Sequence, residues 1–128
     1  MTELRRRVLI VDDEPNIVVS LEFLLRQQGY EVLVAKDGEE ALATVAERLP
    51  ELVVLDVMLP GIDGFEVCRR LRERADLAGL KIVLLTARGR DVERVRGLEE
   101  GADAYVTKPF STRDLMKQVA RLLDGETA

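Results

Sequence analysis

The chain has no histidine and no tryptophan, a single cysteine, and only three phenylalanines and two tyrosines. Without histidine neither a Ser-His-Asp relay nor a Cys-His pair can form, and the usual zinc ligand sets are lost as well. Any chemistry must come from carboxylates, hydroxyls and lysines, and any metal should be an oxygen-preferring cation. The lone Cys68 excludes an intramolecular disulfide and suits a reducing compartment. Within "FEVCRRL" it lies one turn before Leu71, so it reads as a buried packing residue rather than a reactive thiol.

Other absences narrow the class further. No run of about 18 apolar residues exists, so no membrane span is expected. The start, "MTELRRRVLIVDDE", holds an apolar stretch too short for a secretory signal, which predicts a cytoplasmic protein. The formal net charge is −5 and the longest basic block is "RRR" at 5–7. Such a surface repels phosphate backbones, so no direct nucleic-acid contact is expected. There is no G-x-x-x-x-G-K-[ST] loop and no G-x-G-x-x-G after the first apolar run. The length of 128 residues suits one domain over 1–128, with a core at about 7–124.

What the chain does contain is an alternation. Five short apolar runs, "RVLIV" (7–11), "EVLVA" (31–35), "LVVLD" (52–56), "KIVLLT" (81–86) and "AYVT" (104–107), are separated by amphipathic segments. The runs are almost continuously apolar, the pattern of parallel strands buried on both faces. The first helix is expected at about 14–28, with Ile17, Leu21, Leu24 and Gln28 on its apolar stripe, Leu25 flanking, and Gly29 as terminator. Val19 points about 200° away from that stripe, which makes it a candidate outward docking residue. Further helices are expected at 39–48 after "KDGEE", at 64–75 after "PGIDG", and at 91–100 ending at Gly101. A last one follows "KPFS", with Ser111 as N-cap. In 91–100 an interior Gly97 and a thin apolar face of Val92, Val95 and Leu98 predict low local stability and a mobile switch element.

An eight-stranded barrel needs about 250 residues. The pattern therefore predicts a flavodoxin-like (βα)5 fold: a doubly wound, five-stranded parallel sheet of order 2-1-3-4-5. In such a sheet the residues that follow each strand gather at one edge, where ligands bind near the switch in strand order. The first run ends in Asp12 and Asp13, the third in Asp56 and the fourth in Thr86, while the fifth leads to Lys108. Taken singly, each has a plainer role: the paired aspartates can cap the first helix, Asp56 can turn the chain, and Thr86 and Lys108 can be surface residues. Taken together, three carboxylates would repel one another unless a hard cation such as Mg2+ intervened. With a lysine and a hydroxyl beside it, one aspartate becomes the nucleophile of a phosphoryl-transfer site.

These residues resemble the receiver domain of two-component response regulators. The likeness rests on "VDDE" at 11–14, "LVVLDVMLPGIDGFE" at 52–66, "IVLLTA" at 82–87 and "EEGADAYVTKPF" at 99–110, in that order, and covers about Val8 to Leu123. It implies a regulatory domain rather than an enzyme, one that assists its own phosphorylation and dephosphorylation. Asp56 would accept a phosphoryl group from a sensor histidine kinase or phosphotransfer protein. Mg2+ would be held by Asp13, Asp56 and the backbone carbonyl of Met58, with Asp12 acting mainly through water. Lys108, joined to Pro109 by a cis bond, would contact the phosphoryl group. Thr86 would turn toward it and Tyr105 would follow as the readout of the switch. The surface of the fourth helix, fifth strand and last helix would then control a downstream effector or fused output domain, and it can carry a phosphorylation-dependent homodimer. Arg94 and Asp114 fit one charge pair of that dimer, whereas Ala104 and Gln118 stand where charged residues are usual.

Two other classes compete. A metal-dependent phosphatase with an aspartyl-phosphate intermediate typically carries a second aspartate where Met58 stands, and it needs a cap domain. A degenerate receiver serving only for docking would have lost an acidic residue or the lysine, and none is missing here. Because only "DGETA" follows the last apolar position, a standalone receiver is the first expectation. A receiver taken from a DNA-binding transcription factor would read the same way.

Overall fold

The computed structural model describes residues 6–87, 99 and 101–124. Five parallel strands, β1 (Arg7–Val11), β2 (Glu31–Ala35), β3 (Leu52–Asp56), β4 (Lys81–Ala87) and β5 (Ala104–Lys108), pair in the order β2-β1-β3-β4-β5. The register sets Val11 beside Leu55, Asp56 beside Leu85 and Ala87 beside Lys108, so the polar residues at the strand ends share the carboxyl edge. Three helices, α1 (Pro15–Gln27), α2 (Gly38–Arg48) and α3 (Gly64–Arg72), and a C-terminal helix (Thr112–Asp124) cover the sheet.

Alternation along the strands divides the core between the two faces. Leu9, Val53, Leu55 and Leu84 pack with Ala41 and Val45 of α2 and with Phe65, Val67, Cys68 and Leu71 of α3. Their neighbours Val8, Ile10, Val54 and Val83 pack with Leu21 and Leu25 of α1 and with Leu115 and Val119 of the C-terminal helix. Burying both faces of β1 and β3 removes their apolar surface from water at about 25 cal/mol per Å2. The edge strand β2 departs from the expected two-sided burial: it pairs only with β1 among the described strands, and Val34 is 40% exposed.

The helix ends follow from local chemistry. Asp37 caps α2 by accepting from the Glu40 N–H at 2.8 Å, and Asp63 caps α3 by accepting from Glu66 N–H at 2.9 Å. Ser111 Oγ accepts from the Asp114 N–H at 3.3 Å, as expected for the N-cap of the last helix. Gly29 takes φ of +94°, which a residue with a Cβ rarely adopts, and so closes α1. Two expectations need correction. The buried stripe of α1 runs through Leu21 and Leu25, with Ile17 and Val18 packed beside it, while Gln28 is the exposed C-cap. The third helix ends at Arg72 and gives way to a 3-10 turn at Ala75–Leu77 instead of reaching 75. The segment 91–100, including Arg94 and Gly97, lies outside the described residues apart from Glu99, which is helical.

Candidate functional site

Two buried aspartates are set by the same local device. Asp12 Oδ1 accepts from the Glu14 N–H at 2.9 Å, and Asp56 Oδ1 accepts from the Met58 N–H at 3.0 Å. Each carboxylate thus folds onto the backbone two residues ahead, an Asx turn made as the chain leaves its strand. Both are nearly inaccessible, at 1% and 3% exposure. Their second oxygens meet Lys108, whose Nζ donates to Asp12 Oδ2 at 3.2 Å and to Asp56 Oδ2 at 3.3 Å. The Lys108–Pro109 bond is cis, as the resemblance implied.

Asp13 completes the acidic group. A carboxylate oxygen from each of Asp12, Asp13 and Asp56 lies within 4.8 Å of the others, Asp13 being the exposed member. Glu14 adds a fourth carboxylate, accepting from Lys108 Nζ at 2.9 Å. Four acids around one ammonium leave an excess of negative charge. Burial pushes the Asp56 carboxyl above its ordinary value and Asp12 adds to the rise, against the pull of the Met58 N–H and Lys108. Lys108 answers in kind. Burial alone would depress its pKa, but the Glu14 hydrogen bond and the charges of Asp56 and Asp12 raise it. Hard oxygen donors in charge excess are the donor set for Mg2+, so the residues present fit that ion.

Asp13, Glu14, Asp56 and Lys108 border an open cavity of about 750 Å3, whose other walls are Ile17, Met58, Pro109 and Phe110. Met58 is 67% exposed beside it. Thr86 ends the central part of β4 and is buried at 1% exposure, with Thr107 as its neighbour in register. Tyr105 is half-buried and packs against the α2–α3 core. All the residues expected at the carboxyl edge are therefore at that edge, and Lys108 joins two of the three aspartates directly.

Two contributors escaped the sequence reading. Glu14 is one, although it stood in the quoted "VDDE"; its signal is an acid one residue beyond the pair. Gly64 is the other. A Cβ there would come within 2.4 Å of the Asp56 carbonyl oxygen, while its N–H donates to Val57 O at 2.9 Å. Glycine at this helix start lets α3 press against the backbone that carries the buried acid. The second glycine of "PGIDG" was the available sign.

An acidic pocket crossed by one lysine, at the switch point of a 2-1-3-4-5 sheet, defines a receiver domain. The chain belongs to the response regulator receiver domain family, whose profile matches residues 8–120. It is 50% identical over 117 residues to the phosphate regulon transcriptional regulatory protein PhoB of Rhizobium meliloti (strain 1021). That match covers 91% of this chain and 52% of PhoB, so the chain spans about half the length of this relative. Among solved structures, it is similar to a CheY-like response regulator receiver domain protein of Methanospirillum hungatei JF-1, with 33% identity and a TM-score of 0.88 over 95% of this chain and 96% of that one. The BeF3-activated DrrB receiver domain gives 37% identity and a TM-score of 0.84, covering 94% and 99% of the two chains. The protein is thus a regulatory receiver of two-component signalling.

Proposed function

We infer that Asp56 is the phosphoryl acceptor of this receiver. The observation that carries the reading is the convergence of Lys108 on two buried aspartates, which places one cation where a transferred phosphoryl group would bring new negative charge. An Asp56 oxygen attacks the phosphorus of a phosphohistidine on a sensor histidine kinase or phosphotransfer protein. The new O–P bond forms as the P–N bond breaks, and the bonding pair leaves with the imidazole nitrogen. Asp13, Asp56 and the Met58 carbonyl would hold Mg2+, with Asp12 acting mainly through water, and the bound ion would neutralise charge on the incoming group. Lys108 then compensates the phosphoryl oxygens, and the Thr86 hydroxyl donates to one of them. Movement of Thr86 draws Tyr105 with it and changes the surface around β5 and the C-terminal helix, which controls the output and can support a homodimer.

The likeness to a transcriptional regulatory protein favours an output domain fused to the receiver over a separate effector. The native reading frame beyond Ala128 decides between them. Acetyl phosphate with Mg2+ should add one phosphate to the wild type and none to Asp56→Asn, as read by intact-mass spectrometry. Labelling of the variant at the wild-type rate would sink the assignment.

A further inference from the structure

An ammonium has three N–H donors, and Lys108 has three carboxylate partners. In the resting protein its donors are fully engaged. Phosphorylation turns the Asp56 carboxylate into an ester and frees one of them, so a second contact with phosphoryl oxygens needs one of the other two carboxylates to let go. The three partners are not equivalent. Asp56 is consumed by the transfer, whereas the Asp12 side chain is 0% exposed and its carboxylate would be left unpaired in a buried site. That of Glu14 is 57% exposed and returns to water on release, yet its bond to Lys108 is the shortest of the three at 2.9 Å. Release of Glu14 therefore has the smallest desolvation penalty. Its backbone stays in place meanwhile, because the Glu14 N–H is fixed to Asp12 Oδ1.

We propose that Glu14 is a positioning residue that holds Lys108 at the mouth of the site in the resting state and gives it up to the phosphoryl group. The proposal rests on Asp56 being the acceptor. It makes Glu14 a competitor of the phosphoryl oxygens for one donor, so this side chain sets how readily the phosphorylated state forms and how long it persists. Phosphoryl transfer itself is unchanged; only the partner of one N–H changes.

The test separates contact from charge. Glu14→Gln removes the charge, and Glu14→Asp keeps it but shortens the arm so that it no longer reaches Lys108. Beryllofluoride affinity at saturating Mg2+, measured by fluorine NMR, should rise about two- to fivefold in both variants, the range expected for loss of an exposed ion pair. A gain in Glu14→Gln alone would mean that Glu14 merely repels anions, and no gain in either would leave it without a role; both outcomes overturn the proposal. A second readout needs no metal. In EDTA, Glu14→Gln should shift the urea midpoint of the wild type downward relative to its shift in Lys108→Ala, where it only relieves repulsion among the acids. An equal shift in both backgrounds would overturn the resting pair. Absence of beryllofluoride binding and of Asp56 labelling in the wild type would instead bring down the parent reading.

Discussion

The two edges of the same sheet treat charge in opposite ways. At the amino edge carboxylates have guanidinium partners: Glu31 meets Arg7 and Arg48, Asp124 meets Arg6, and Asp103 meets Arg72. Arg72 also donates to the Leu80 and Gly101 carbonyls at 2.6 and 2.9 Å, tying α3 to the entrances of β4 and β5. At the carboxyl edge three carboxylates share Lys108 and a fourth, Asp13, lies beside them. Two carboxyls show the contrast directly. Glu66, on the outer side of α3, is held down to about 2 by hydrogen bonds from Arg69 and Arg70, whereas burial drives Asp56 upward. One edge pairs its charges, and the other leaves negative charge in excess.

If that division is right, substitutions at the two edges should change stability with opposite signs. Arg72→Ala removes three hydrogen bonds and leaves the Asp103 carboxylate, among the described residues, with the Ile82 N–H. It should cost about 2–4 kcal/mol in urea unfolding, since charged hydrogen bonds are lost together with the cover over two carbonyls. A loss within about 0.5 kcal/mol, the range of neutral surface changes, would erase the contrast.

Asp56→Asn should do the reverse in EDTA and raise the melting temperature. The sign follows from linkage. A carboxyl whose folded pKa is raised binds its proton more tightly when folded, so stability falls as pH rises through the window from its ordinary value of 3.8 to the folded one. The gain from Asp56→Asn should therefore be full above that window, shrink as pH falls through it, and weaken when Mg2+ is added. A variant less stable than wild type at neutral pH in EDTA would show that the repulsion at this edge is already relieved.

The smallest effect on stability is expected on the outer face of α1, where Val19 and Phe23 are 66% and 61% exposed. Val19→Glu should leave acetyl phosphate labelling intact while slowing transfer from the cognate kinase. Unchanged kinase transfer would return Val19 to the ordinary scatter of exposed apolar residues.

How much of this was legible in the sequence depended on periodicity. The apolar runs gave β1, β3 and β4 nearly to the residue, because burial on both faces leaves few alternatives. The face of α1 was harder. Ile17, Leu21 and Leu24 fit one stripe and Leu21 with Leu25 another, and only packing against Ile10 and Leu115 selects the second. That rotation also explains why Phe23 was overlooked as an outward residue. At the site, residue type and position after each strand marked Asp12, Asp13, Asp56, Thr86 and Lys108. Glu14 and Gly64 were not marked, since one acts through a rotamer that reaches Lys108 and the other through a missing atom beside the Asp56 carbonyl.

The paired Asx turns have a consequence for how such a site can diversify. Asp12 and Asp56 are oriented by the main-chain N–H groups of Glu14 and Met58, and any residue but proline supplies that group. The side chains at 14 and 58 are therefore free to change without disturbing the acids they orient. Both border the open cavity beside those acids. Orientation is carried by the backbone at the same two positions whose side chains face the cavity, so the cavity wall can be rebuilt while the two buried acids stay where they are.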